Sequence, residues 1–93
     1  MTFWSIDNIK TVLGGTWSSR PEAVVRAGSV SGVTIDSRAV MPGQMFIAIK
    51  GETHDGHDHV NGAVKAGAAI AVVARADAAD AATKAAAAVL VVP

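Results

Sequence analysis

Apolar and polar positions fall into blocks of changing period, and the blocks predict an α/β chain. Between Ile6 and Leu13 the apolar residues Ile6, Ile9, Val12 and Leu13 lie near one helical face. Ser5 stands where an N-cap belongs, and Gly14-Gly15 stops the run. Thr16 to Pro21 is polar and reads as a turn-like connection. Ala23 to Ala27 reads as a short strand ended by Gly28, and Val30 to Ile35 as another, with β-branched Val33, Thr34 and Ile35. Pro42-Gly43 marks a turn. Met45 to Lys50 is apolar at successive positions, as expected of a strand covered on both faces.

Gly51 to Gly56 is a polar loop, after which Asp58 is the expected N-cap of a helix through Val60, Ala63 and Val64 that closes at Gly67. Ala69 to Ala74 is a second wholly apolar strand. Strand, loop, helix and strand within about thirty residues make a βαβ unit, with parallel strands and a right-handed crossover. Asp77 to Ala87 is alanine-rich and predicts a helix capped by Asp77 or Asp80, and Val89 to Val92 predicts a last strand. The expected fold class is α/β, a small mixed or parallel sheet of about four to five strands with flanking helices, in a single domain over residues 1–93. A chain that stops at Pro93, straight after a strand, is expected to be cut from a larger protein at a domain boundary.

Composition narrows the picture. Ninety-three residues can bury one modest core. The chain is 51% hydrophobic, but with two Trp and two Phe its core must be built from small aliphatic side chains. Eight basic residues balance eight acidic ones, which argues against nucleic acid or an anionic membrane surface as partner. No run reaches the ~20 apolar residues of a membrane helix. There is no cysteine, and Met1 to Ser5 does not open a signal peptide, so a cytoplasmic location is expected.

Three stretches carry candidate chemistry. Thr34-Ile35-Asp36-Ser37-Arg38 follows a strand, and ligands of open α/β sheets gather at strand C-terminal ends. Ser37 can donate and accept, and Arg38 has a planar fork for carbonyl or phosphate oxygens. By themselves these residues read more readily as a turn with an Asp36–Arg38 surface ion pair than as a ligand site. The loop Lys50-Gly51-Glu52-Thr53-His54-Asp55-Gly56-His57 has glycines that permit close backbone approach, but Glu52, Asp55 and Asp58 oppose a bare phosphate. It is either a ligand loop or a solvated connection. His54, His57 and His59 invite a metal reading. A helix starting at Asp58 would make the three rings diverge, so no metal ligand is expected. The sequence has no Gly-x-x-x-x-Gly-Lys-[Ser/Thr] and no Gly-x-Gly-x-x-Gly, so nucleotide triphosphate activation is not expected of it.

In order along the chain, Thr34-Ile35-Asp36-Ser37-Arg38, Pro42-Gly43-Gln44-Met45-Phe46-Ile47-Ala48, Lys50-Gly51, Asp55-Gly56-His57-Asp58, Ala63 and Gly67-Ala68-Ala69 together resemble the N-terminal domain of the Mur ligases. These are ATP-dependent amide-bond-forming enzymes of peptidoglycan precursor synthesis. The resemblance covers nearly the whole chain. Phe3-Trp4-Ser5-Ile6 and Leu13-Gly14-Gly15 are most similar to the member that adds D-alanyl-D-alanine to UDP-N-acetylmuramoyl-tripeptide. The alternatives are the member that adds the third residue, a diamino acid or lysine, and a stand-alone binding or regulatory module.

The resemblance implies that Ser37 and Arg38 sit at a uridine pocket lined by Thr34 and Ile35. Lys50, Gly51, Glu52, Thr53, Asp55, Gly56 and His57 would wrap the uracil, ribose or diphosphate. No catalytic residue is implied in this chain, and the chain alone is expected to be inactive. ATP and magnesium would bind a central domain, and the incoming dipeptide a C-terminal one. These two domains and UDP-N-acetylmuramoyl-tripeptide would be the chain's partners. His54 and His59 depart from the family pattern, and His59 is expected to pack at the helix start rather than touch ligand.

Overall fold

The computed structural model describes residues 5–49 and 55–93. Helix α1 (Ile6–Leu13) begins and ends where its sequence directs. Ser5 Oγ accepts from the Asn8 N–H at 3.3 Å, and Gly14 closes the last turn at φ 67°, a left-handed conformation cheap only for glycine. Ile6 and Ile9 are buried, whereas Val12 and Leu13 remain at the surface.

The next two segments differ from expectation. The polar stretch after Gly15 is a strand, β1 (Thr16–Ser19), not a turn. Its sequence lacks apolar alternation because only Trp17 packs against the core. The Ser19 hydroxyl donates to the Ala87 carbonyl at 3.0 Å and accepts from the Val89 N–H at 3.1 Å, spanning an irregularity in the pairing with side-chain rather than backbone bonds. The segment expected as a strand from Ala23 to Ala27 is a helix, α2 (Glu22–Ala27). Pro21 precedes its first turn, Glu22 and Arg26 pair one turn apart, and Gly28 ends it at φ 79°. Those end signals outweigh the β propensity of Val24 and Val25, of which only Val24 is buried.

The remaining strands are β2 (Val33–Thr34), β3 (Met45–Ile47), β4 (Ile70–Val73) and β5 (Ala88–Val91), each within a segment expected to be extended or one residue beyond it. They form a five-stranded sheet in the order β1-β5-β4-β3-β2. All neighbours are parallel except β1, which pairs antiparallel with β5. Between β3 and β4, a 3-10 turn (Gly56–His59) leads into α3 (Val60–Lys65). The turn is capped by Asp55 rather than by the expected Asp58, because the Asp55 carboxylate accepts from the His57 N–H. Helix α4 (Ala81–Ala86) is shorter than expected. Asp80 caps it, and Asp77 lies in a separate 3-10 turn (Ala76–Ala78).

Period-two alternation along the strands sorts the core into two faces. Phe46, Ala71, Val73 and Val89 join Val60, Ala63 and Val64 of α3. Met45, Ile70, Val72, Ala88 and Leu90 join Ile6 and Ile9 of α1 and Val24 of α2. The sheet is therefore covered on both faces, and its parallel strands deliver their C-terminal ends to one shared edge.

Candidate functional site

At that edge, the segments leaving β2 and β3 enclose a cleft of about 460 Å³, lined by Ile35, Asp36, Ser37, Arg38, Phe46, Ile49, Gly56 and His59. The wall after β2 is a self-bonded turn. The Arg38 N–H donates to Asp36 Oδ1 at 2.9 Å, Arg38 Nε donates to the same oxygen at 3.3 Å, and the Asp36 N–H donates to Thr34 Oγ1 at 3.1 Å. The Asp36 carboxyl is held below its ordinary range, first by the Arg38 backbone N–H and then by the Arg38 side chain. The expected surface ion pair forms, and the same turn lines the cleft. The Arg38 side chain is 90% exposed, so its fork stays accessible to a ligand.

The opposite wall comes from the 3-10 turn. With three residues per turn, positions i and i+3 eclipse, so Gly56 and His59 share the side that borders the cleft. Gly56 lies against the end of β3. Its N–H donates to the Ile49 carbonyl at 2.8 Å, and a Cβ there would stand 2.7 Å from the Ile49 nitrogen. The exposed Ile35 and Ile49 and the buried Phe46 make the floor and flanks apolar.

His57 points away from the cleft. Its ring is buried, Nδ1 is 2.6 Å from Asp55 Oδ1, and Nε2 accepts from the Ala74 N–H at 2.9 Å. An accepting Nε2 places the ring proton on Nδ1, directed at the carboxylate. The Asp55 carboxyl is lowered to about 2, first by the His57 backbone N–H, then by the His57 ring, with Arg75 Nη1 3.5 Å from its other oxygen.

Of the residues expected at the site, Ile35, Ser37, Arg38 and Gly56 are brought together around one cleft. Thr34, Asp55 and His57 stand behind its walls, holding the two turns. Lys50, Gly51, Glu52 and Thr53 lie outside the described residues, as does His54. His59, expected to pack at the helix start, is instead exposed on the cleft wall. Its i, i+3 spacing from Gly56 carried that information, but only for a 3-10 turn; an α-helix capped at Asp58 hides it. Ile49, expected inside a strand covered on both faces, is instead an exposed isoleucine past the end of β3. Among the described residues, no three side chains converge as a metal site.

Residues 29–93 match the family described as "Mur ligase family, catalytic domain". The UDP-N-acetylmuramoyl-tripeptide--D-alanyl-D-alanine ligase of Mycobacterium tuberculosis is 38% identical over 72 residues, which is 76% of this chain and 14% of that protein. The UDP-N-acetylmuramoyl-L-alanyl-D-glutamate--2,6-diaminopimelate ligase of Chlorobaculum tepidum is 41% identical over 63 residues, 68% of this chain and 12% of that protein. A crystal structure of MurF from Acinetobacter baumannii superposes with a TM-score of 0.76 at 30% identity, covering 96% of this chain and 18% of that one. The chain thus spans a small fraction of the length of each relative, and the likeness extends to the five-stranded α/β architecture. On the family match, which takes in well over half of its residues, the chain belongs to the Mur ligase family.

Proposed function

We propose that this chain is the domain of a D-alanyl-D-alanine-adding ligase of peptidoglycan precursor synthesis that holds the uridine diphosphate end of UDP-N-acetylmuramoyl-tripeptide. The observation that carries this reading is the cleft of about 460 Å³ shared by the β2 and β3 ends, which is lined by Ser37, Arg38 and His59 together with apolar Ile35, Ile49 and Phe46. A volume of that order suits a nucleotide-sized ligand. The apolar surfaces suit a planar base, and the Arg38 fork and Ser37 hydroxyl suit diphosphate or ribose oxygens. The role of this chain is binding and orientation. As to ATP and magnesium, the sequence carries no phosphate-cradling Gly-x-x-x-x-Gly-Lys-[Ser/Thr] run, and among the described residues no three side chains converge as a metal site. We assign both to other parts of such a ligase, and the 93-residue chain alone is expected to form no amide bond.

Titration with UDP under NMR observation tests the reading. Amide shifts are expected at Ile35, Ser37, Arg38, Gly56 and His59. Hydrogen bonds to a charged group contribute about 1.5–3 kcal/mol; Arg38 is highly exposed, so the lower end applies, and Arg38→Ala should weaken binding about tenfold. No response at millimolar UDP from a folded chain would reject the site. A second reading, the ligase adding 2,6-diaminopimelate, is favoured by the 41% identity to the Chlorobaculum tepidum enzyme. Amide formation by the full-length protein with D-alanyl-D-alanine against 2,6-diaminopimelate separates the two.

A further inference from the structure

His57 lies between the cleft-wall residues Gly56 and His59, yet its own side chain is turned into the molecule and only 6% exposed. Both ring nitrogens are committed. Nδ1 meets Asp55, inside the same turn, and Nε2 meets the backbone N–H of Ala74, just beyond the C-terminal end of β4 and 17 residues away in sequence. The two bonds differ in kind: the first shapes the 3-10 turn locally, and the second ties that turn to the neighbouring strand. Asp55 is in turn faced by Arg75, which also pairs with Asp77 at 3.2 Å, so the latch sits in a small charged cluster along the same sheet edge.

We propose that His57 is a positioning residue, a latch from the turn to β4 that holds the Gly56 and His59 wall at its distance from the Ser37 and Arg38 wall, and that it makes no contact with ligand. The proposal rests on the reading of the cleft as a uridine diphosphate site. It assigns the wall's placement to the long-range bond to Ala74 rather than to the local bond to Asp55. The chemistry of two substitutions separates these bonds. The His57→Gln side chain is long enough for its amide oxygen to accept from the Ala74 N–H. The His57→Asn side chain reaches only toward Asp55 and keeps the local bond alone.

The test compares the chain with His57→Gln, His57→Asn and, as a control destabilised on the opposite sheet face, Val24→Ala. In the absence of ligand, His57→Asn should move the amide resonances of Gly56, His59 and Ile49 and speed hydrogen exchange at Ala74, whereas His57→Gln should restore both. UDP affinity should fall about fivefold to tenfold in His57→Asn, recover to within about threefold in His57→Gln, and stay unchanged in Val24→Ala. Undisturbed wall resonances in a folded His57→Asn, or a His57→Asn that binds like the unsubstituted chain, would overturn the latch. So would affinity loss in Val24→Ala equal to that in His57→Asn, which would reduce the effect to general stability. Absence of UDP binding by the unsubstituted chain, with the wall resonances behaving as expected, would reject the ligand reading and leave the latch supported.

Discussion

Two glycines of the same turn-and-helix segment, Gly56 and Gly62, should respond oppositely to the same substitution, and the difference follows from their surroundings. A Cβ on Gly56 would stand 2.7 Å from the Ile49 nitrogen, 3.1 Å from the Ala48 Cα and 3.1 Å from the Ile49 oxygen, where ordinary contact begins at 3.4 Å. All three atoms are backbone at the end of β3, so none can rotate aside. Relief requires moving the turn outward by several tenths of an ångström, which stretches the 2.8 Å bond from the Gly56 N–H to the Ile49 carbonyl. Overpacking of this kind costs about 1–3 kcal/mol. For a domain of this size, 1 kcal/mol corresponds to about 4–8 °C in Tm, so Gly56→Ala should melt roughly 5–20 °C lower. Gly62 lies within α3 with nothing within 4 Å of its virtual Cβ. There the gain in helix propensity, about 0.5–1 kcal/mol, should raise Tm by about 2–8 °C. Thermal unfolding followed by circular dichroism reads both. A Gly56→Ala chain as stable as the original, or a Gly62→Ala chain less stable, would refute the packing described for this wall.

Other expectations concern the caps and the charged turn. Ser5→Ala removes the acceptor for the Asn8 N–H at the start of α1 and should cost about 1 kcal/mol, read by denaturant unfolding; a loss too small to measure would mean that the cap bond adds nothing. Asp55, with its carboxyl lowered to about 2 in the folded chain and 3.8 as its ordinary value, takes up its proton more readily when unfolded. Its contribution is therefore complete above about pH 4 and is lost as pH falls from there through about 2. Unfolding measured across that window should show a shallower pH dependence in Asp55→Asn than in the unsubstituted chain, and parallel curves would contradict the His57–Asp55 geometry.

How much of this was legible in the sequence varied with how local the signal was. Helix α1 was readable to the residue because its cap, its apolar face and its stop are all written within ten positions. The buried strands β3, β4 and β5 were readable because strands covered on both faces must be apolar throughout. The Asp36 to Arg38 turn was likewise local, and its ion pair and its place after a strand were both anticipated. What tertiary structure alone decided was whatever depends on a distant partner. Strand β1 exists because β5, some seventy residues on, offers an edge, and Ser19 is satisfied by Ala87 and Val89 rather than by anything in its own segment. Helix α2 is different, since its end signals, Pro21 and Gly28, are local and outweigh the β propensity of Val24 and Val25. The His57 ring is turned inward because the Ala74 N–H, across the sheet edge, takes its second nitrogen. His59 took the exposed position instead, because a turn capped at Asp55 winds with three residues per turn and a helix capped at Asp58 would not. Local hydrogen bonding and periodicity wrote the elements into the sequence; pairing between distant segments chose which side chains meet in the cleft.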